Sequence, residues 1–160
     1  MLITLTKKKT QKKSSFHKLE VINITVHSNL CSLSFYTNKE IIKKINLIYM
    51  KVEAKNGFIS IIHGVNKVNL IINENFFDLV CKHINEHPEN IQKNIASLNV
   101  QLNKKTCDTP GQFYSLIQAI TMQGINIREI TSAFHEAMFY VDQTDVKLAF
   151  DTLYNCFCRT

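Results

Sequence analysis

Two stretches of the chain, 69 positions apart, carry the same pattern of apolar and polar residues. "FISIIHGVNKVNLIINENFFDLVCKHI" (58–84) lies without a gap over "IREITSAFHEAMFYVDQTDVKLAFDTL" (127–153), so that Ile61 meets Ile130, Leu70 meets Phe139, Ile72 meets Val141, Leu79 meets Leu148 and Ile84 meets Leu153. Each copy opens with two short β-rich runs, broken at His63-Gly64 in the first and near His135 in the second, which predicts a hairpin. The apolar spacing then changes to i, i+3, i+4 and i+7, which predicts helices over 75–86 and 144–157.

A strand and a helix precede each hairpin. "LCSLSFY" alternates as a strand does, and Asn38 is placed to cap a helix whose inner stripe is Ile41, Ile45, Ile48 or Tyr49, and Val52, ending at Asn56-Gly57. In the second copy "IASLNVQL" is the strand, and residues 112–123 form the helix with Phe113, Leu116, Ile117 and Ile120 inward. Here the offset is 65, "CSLSF" over "ASLNV", so the second copy holds four more residues, which fit in the loop "NKKTCDTPG". Each copy therefore reads β-α-β-β-α and needs one more strand. "NIQKN" after Pro88 supplies it for the first copy, and the leading "LEVINITV" (19–26) for the second. The expected fold is α+β: two ferredoxin-like βαββαβ units, the second completed by the N-terminal strand. The first unit spans 28–94 as an insertion, and the second is 19–27 plus 95–160.

Composition narrows the function. The formal charge of +6 sits entirely in residues 1–18, where Lys7, Lys8, Lys9, Lys12, Lys13 and Lys18 stand without an acid. The other 13 basic residues face 13 acidic ones. Those first 18 residues read as a flexible, solvated basic arm with no recognition helix or stacking aromatics, not as a reader of nucleic acid. No apolar run reaches the roughly 18 residues of a membrane span, and no secretory signal is legible, so a cytoplasmic protein is expected. The five cysteines form no C-x-x-C pair and read as reduced thiols, with Cys107 a spectator. His83 and His87 lie at i, i+4, but Pro88 puts His87 beyond the helix end. No metal site, no cofactor motif and no catalytic motif is present, and Glu136 and Asp142 fall on the solvated face of a hairpin.

The candidate chemistry lies around the second helix. Gly111 and Gly124 are two of only four glycines, and Pro110 is one of two prolines, and they flank this helix. A helix start at Pro110-Gly111 offers unpaired amide N–H groups to an anion such as an α-carboxylate, and Asp108 offers the opposite sign to an ammonium group. The simpler reading makes Asp108 or Thr109 an N-cap, Gly124 a C-cap and Asn126 a turn residue.

"TCDTPGQFYSLIQAITMQGINIREITSAFHEAMFYVDQTDVKLAFDTL" resembles an ACT domain in its T-P-G turn, helix, G-I-N-I, T-S strand and V-D-x-x-D before the closing helix. Residues 19–157 as a whole resemble the tandem ACT regulatory region of aspartokinases, and the small stand-alone tandem ACT proteins related to it. The first unit departs from the pattern, since "TNKEII" lacks Pro-Gly and no G-I-N precedes Phe58. In such dimers the loop of one domain and the strand start of its neighbour enclose an amino acid. Carried over, the resemblance implies a ligand site of Asp108, Thr109, Pro110, Gly111, Gln112, Asn126, Ile127, Thr131 and Ser132. It further implies a non-catalytic homodimeric module that regulates a separate enzyme, such as an aspartokinase, in trans. The competing expectation is a ligand-free oligomeric scaffold whose basic arm touches nucleic acid or an acidic partner.

Overall fold

The computed structural model describes residues 19–105 and 109–158; the basic arm, Cys107 and Asp108 lie outside them. In chain order the elements are β1 (Val21–Tyr36), α1 (Lys39–Glu53), β2 (Ile59–His63) and β3 (Lys67–Asn73). A 3-10 turn (Glu74–Phe76) runs into α2 (Phe77–Ile84), followed by β4 (Asn90–Leu102), α3 (Gln112–Thr121), β5 (Ile127–Ala133), β6 (Glu136–Asp142) and α4 (Val146–Phe157). The architecture is α+β, with one antiparallel sheet of six strands in the order β2-β3-β1-β4-β6-β5.

The run 19–26 and "LCSLSFY" were expected as separate strands. They are joined in β1, and "NIQKN" and "IASLNVQL" are joined in β4. Neither junction contains a glycine or a proline to end the strand. Instead the chain bends at Asn29 (φ 56) and Asn94 (φ 55), two residues in the left-handed region that asparagine tolerates. Val21–His27 then pairs with the C-terminal half of β4, and Leu30–Ser34 pairs with its N-terminal half, with the register shifting between them.

The bends are held by side chains. Gln143 Oε1 accepts the Asn29 backbone N–H at 2.7 Å, and its Nε2 donates to Asn29 Oδ1 at 3.0 Å. Glu74 Oε1 accepts the Asn94 N–H at 2.8 Å. The offset of 65 carries Asn29 onto Asn94, and the offset of 69 carries Glu74 onto Gln143. Matching positions of the repeat thus make matching contacts.

Helices α1 and α2 cover one half of the sheet. Ile41, Ile45, Ile48 and Val52 of α1 meet Val80 and Ile84 of α2 over Leu33, Phe35, Val68, Leu70 and Ile72. Ile48 fills the place that periodicity left open between it and Tyr49, which is 40% exposed. Helices α3 and α4 cover the other half, with Leu116, Ile120, Ala149 and Leu153 over Leu98, Val100, Phe139 and Val141. The expected inward Phe113 is 37% exposed, because α3 buries the line Gln112, Leu116, Ile120 and Phe113 lies a step of the helix away from it.

On the face away from the helices the sheet curls onto itself around Leu30, Ile71, Ile95 and Tyr140. Tyr140, fully buried, has Ser60 of β2 and Thr131 of β5 against its hydroxyl, and burial pushes the phenol above its ordinary pKa. Ser32 and Ser34 both donate to Asn69 Oδ1 at 2.9 and 2.8 Å, and Asn69 Nδ2 donates to Glu129 Oε2 at 3.0 Å. Side chains from both halves therefore close the curl.

Asn38 caps α1 as expected, its Oδ1 accepting the Ile41 N–H at 2.8 Å. The end of α1 differs in detail. Asn56 takes the left-handed conformation (φ 53), and Gly57 serves a packing need. A Cβ there would lie 2.7 Å from Val52 Cγ1 and would also collide with the Phe76 ring. Gly57→Ala is therefore expected to destabilise the fold by about 1–3 kcal/mol through overpacking, read as a lowered urea midpoint with unchanged m-value.

Candidate functional site

The segment after β4 is tied down before it reaches α3. The Leu102 N–H donates to the His135 carbonyl at 2.7 Å, Asn103 Nδ2 donates to Glu20 Oε2 at 2.7 Å, and Asn103 Oδ1 accepts the Lys105 N–H at 3.0 Å. Beyond residues 106–108, which include Asp108, the chain reappears at Thr109. Gly111 has φ 94 and ψ −1, the values of the third residue of a type II turn, with Pro110 in the second position that proline favours. That geometry makes Gly111 the N-cap of α3, so Pro110 precedes the helix and Thr109 does not cap it.

Gly111 supplies no side-chain cap, and the first turn of α3 carries no acidic residue. The Ser115 N–H and Oγ both return to the Gly111 carbonyl, at 3.0 and 3.1 Å. The N–H groups of Gln112, Phe113 and Tyr114, at the first three helical positions, have no carbonyl partner within the helix and carry the positive end of its dipole. Beside them Gln112 is 6% exposed, and its buried Oε1 has no hydrogen-bond partner among the described residues. A buried carbonyl oxygen in that state costs on the order of 1–3 kcal/mol unless a donor reaches it. The start of α3 therefore presents donors to an anion and, at one buried oxygen, an acceptor to a donor.

The nine candidate residues do not come together within one chain. Thr109, Pro110, Gly111 and Gln112 stand at the end of the sheet where Leu102 meets the β5–β6 turn. Asn126 and Ile127 stand at the opposite end of β5, about 20 Å along a strand of this length. Helix α3, about 15 Å long for its 10 residues, runs between them. Thr131 and Ser132 point to opposite faces of β5: Thr131 lies against Tyr140 inside the curl, and Ser132 is exposed. The start of β5 carries one strong interaction. Arg128 Nε and Nη2 hold the two oxygens of Asp142 at 3.0 and 2.8 Å, which keeps the carboxyl below the usual carboxylate range.

Sequence reasoning missed a second place. Two adjoining polar clefts, of about 440 and 400 Å³, lie under the C-terminal end of α1, with Asn56, Gly57 and Asn73 in the walls of both. Their linings come from α1, β1, β2, β3 and the 3-10 turn, so no local motif announces them. The signal available was the repeat itself, which sets Gly57-Phe58 beneath Asn126-Ile127.

With the geometry described, comparison with known proteins places the fold. No family model and no curated protein matches the sequence. Among solved structures, the aspartate kinase of Clostridium acetobutylicum matches with a TM-score of 0.70 at 18% identity, over 90% of this chain and 37% of that one. The chain thus spans little more than a third of that enzyme. The regulatory subunit of aspartate kinase from Thermus thermophilus, in its ligand-free form, matches with a TM-score of 0.65 at 14% identity, over 86% of this chain and 97% of the subunit. E. coli aspartokinase III, in complex with lysine and aspartate, matches with a TM-score of 0.60 at 13% identity, over 91% of this chain and 35% of that one. The chain shares the fold of the regulatory subunit of aspartate kinase and of the matched parts of the two longer enzymes.

Among the described residues no helix is long and apolar enough to cross a membrane. Cys31 is fully buried, and burial, reinforced by Glu74, pushes its thiol up to about 12. Cys156 is exposed. At about pH 8 a disulfide reagent is expected to label Cys156 in the native protein and to reach Cys31 only once denaturant unfolds it. Mass spectrometry of the labelled peptides checks the order.

Proposed function

We propose that the chain is a non-catalytic regulatory module that binds a small amphoteric molecule, an amino acid, where the start of α3 meets a neighbouring copy. The observation that carries this reading is the pairing of a helix start whose N-cap, Gly111, has no side chain with a buried Gln112 Oε1 that has no partner among the described residues. The N–H groups of the first turn suit an α-carboxylate, and Gln112 Oε1 accepts from an α-ammonium group. E. coli aspartokinase III, about a third of whose chain shares this fold, is seen in complex with lysine and aspartate, which supports the ligand class.

The separation of the candidate residues supports the second copy. Asn126 and Ile127 are too far along β5 to share a small ligand with Gly111 of the same chain, so the strand start facing it belongs to a neighbour. Strand β5 is an edge of the sheet and exposes Ile130 at 42%. Such an edge is suited to pairing with its own copy in a symmetric homodimer. Within the chain we divide the fold into an inserted unit (28–94) and a second unit (19–27 plus 95–160). The bends at Asn29 and Asn94, which fall at the two ends of the inserted unit, support that division. The enzyme regulated would be a separate chain of the aspartate kinase type.

Thermal unfolding against a panel of amino acids, with lysine, threonine and methionine first, tests the reading. A ligand at about 100 times its Kd adds roughly 2.7 kcal/mol, on the order of 5–10 °C in Tm for a body of this size. One responder whose shift disappears in Gln112→Leu, with the dimer intact by sedimentation, is the expected result. A flat panel would overturn it and favour the scaffold reading, in which the basic arm makes the contacts.

A further inference from the structure

The cleft of about 440 Å³ under α1 is lined by His27, Tyr49, Glu53, Asn56, Phe58 and Asn73, among others. Its electrostatics are one-sided. Glu53 lies in the last turn of α1, a helix of 15 residues, where the carbonyl ends of the backbone dipoles gather and favour a cation. Among the described residues Glu53 makes no ion pair; its carboxylate takes only a long hydrogen bond from the Tyr49 hydroxyl, at 3.4 Å. Of the nearby lysines, Lys51 reaches across to His83, and Lys55 lines the adjoining cleft. The ring of Phe58 also lines the cleft, tilted against His27 with centroids 4.6 Å apart.

The other half of the fold shows what such a place holds when it is satisfied from within. The offset of 69 carries Ile59 onto Arg128, Asn73 onto Asp142 and Glu53 onto Met122. At the start of β5 the guanidinium of Arg128 sits on the Asp142 carboxylate in a two-pronged pair. At the start of β2 the corresponding Ile59 brings no cation, and the acid has moved to the helix end as Glu53. The first half therefore has a carboxylate, a helix C-terminus and an aromatic ring around a cleft, with no lysine or arginine among its described lining residues.

We propose that this cleft binds a small organic cation, with an ammonium or guanidinium head held by Glu53, the Tyr49 oxygen and the carbonyl end of α1, and packed on Phe58. The ring of Phe58 attracts a cation at its face, and the carboxylate makes the charge-assisted bond that fixes it. The site is independent of the start of α3, which stands at the far end of the other half of the sheet.

Agmatine, which carries both cationic heads and no carboxylate, is the probe. Titrated into the full-length protein at low salt and followed by amide NMR shifts, it is expected to move the signals of His27, Asn56 and Phe58 saturably. Glu53→Gln is expected to weaken it about tenfold, while Gln112→Leu leaves it unchanged. Glu53 is exposed, so the variant is expected to keep the wild-type spectrum and Tm, which certifies its fold. No saturable shift at these residues up to about 10 mM, an affinity too weak for a built site, would overturn the proposal. So would a Glu53→Gln variant that binds as the wild type does.

Discussion

The structure depends on the pairing of two strands that are each too long for half of the molecule. β1 has 16 residues and β4 has 13, and each serves both ends of the sheet. Because side chains alternate along a strand, a slip of one residue between them would carry Leu98, Val100 and Leu102 of β4 off the face that α3 and α4 cover. The bends at Asn29 and Asn94 prevent that slip. Each bend shifts the register in one place, and Gln143 and Glu74 fix the backbone N–H groups there. The helices on one face and the curl around Tyr140 on the other are built upon that register.

The same constraint decides where chemistry is available. Both helix-covered halves are closed by aliphatic packing, so open polar groups collect at the far end of the sheet, where α3 begins, and at the waist, where α1 ends. One place presents the positive end of a helix and the other the negative end. Their preferences are opposite in sign for that reason. The asymmetry between the copies follows from a few substitutions: Arg128 and Asp142 hold the start of β5 with an ion pair, whereas at the start of β2 Asn73 Oδ1 accepts the Phe58 N–H and the cleft lies beside it.

Much of the fold was legible in the residues, and the reasons are physical. The hairpins and closing helices are marked twice over by a change of period from 2 to 3.6, so the repeat at offset 69 exposed them directly. Asn38 was legible as a cap because its side chain satisfies a specific N–H three residues on. The joining of two runs into β1 was not legible, because an asparagine at positive φ ends a strand in one context and merely bends it in another. The Phe113 error has a similar origin: periodicity gives the width of an apolar stripe but not its centre, and Gln112 took the buried line. The site around Gly111 was legible in its turn chemistry. The buried Gln112 oxygen was not, because a glutamine at a helix start is usually solvated. The cleft under α1 draws on four elements and left no local pattern.

A binding site completed by a second copy is the central claim, and mixing two damaged proteins tests it most directly. Gln112→Leu spoils the helix start, and Asn126→Ala spoils the strand start. Neither variant alone should bind the amino acid that stabilises the wild type. When the two are unfolded together and refolded as a mixture, half of the dimers carry one of each. One site in such a dimer combines an intact helix start with an intact strand start, so calorimetry should recover about a quarter of the wild-type sites at wild-type affinity. Binding that stays absent from the refolded mixture, with mixed dimers confirmed by native mass spectrometry, would contradict a site shared between copies.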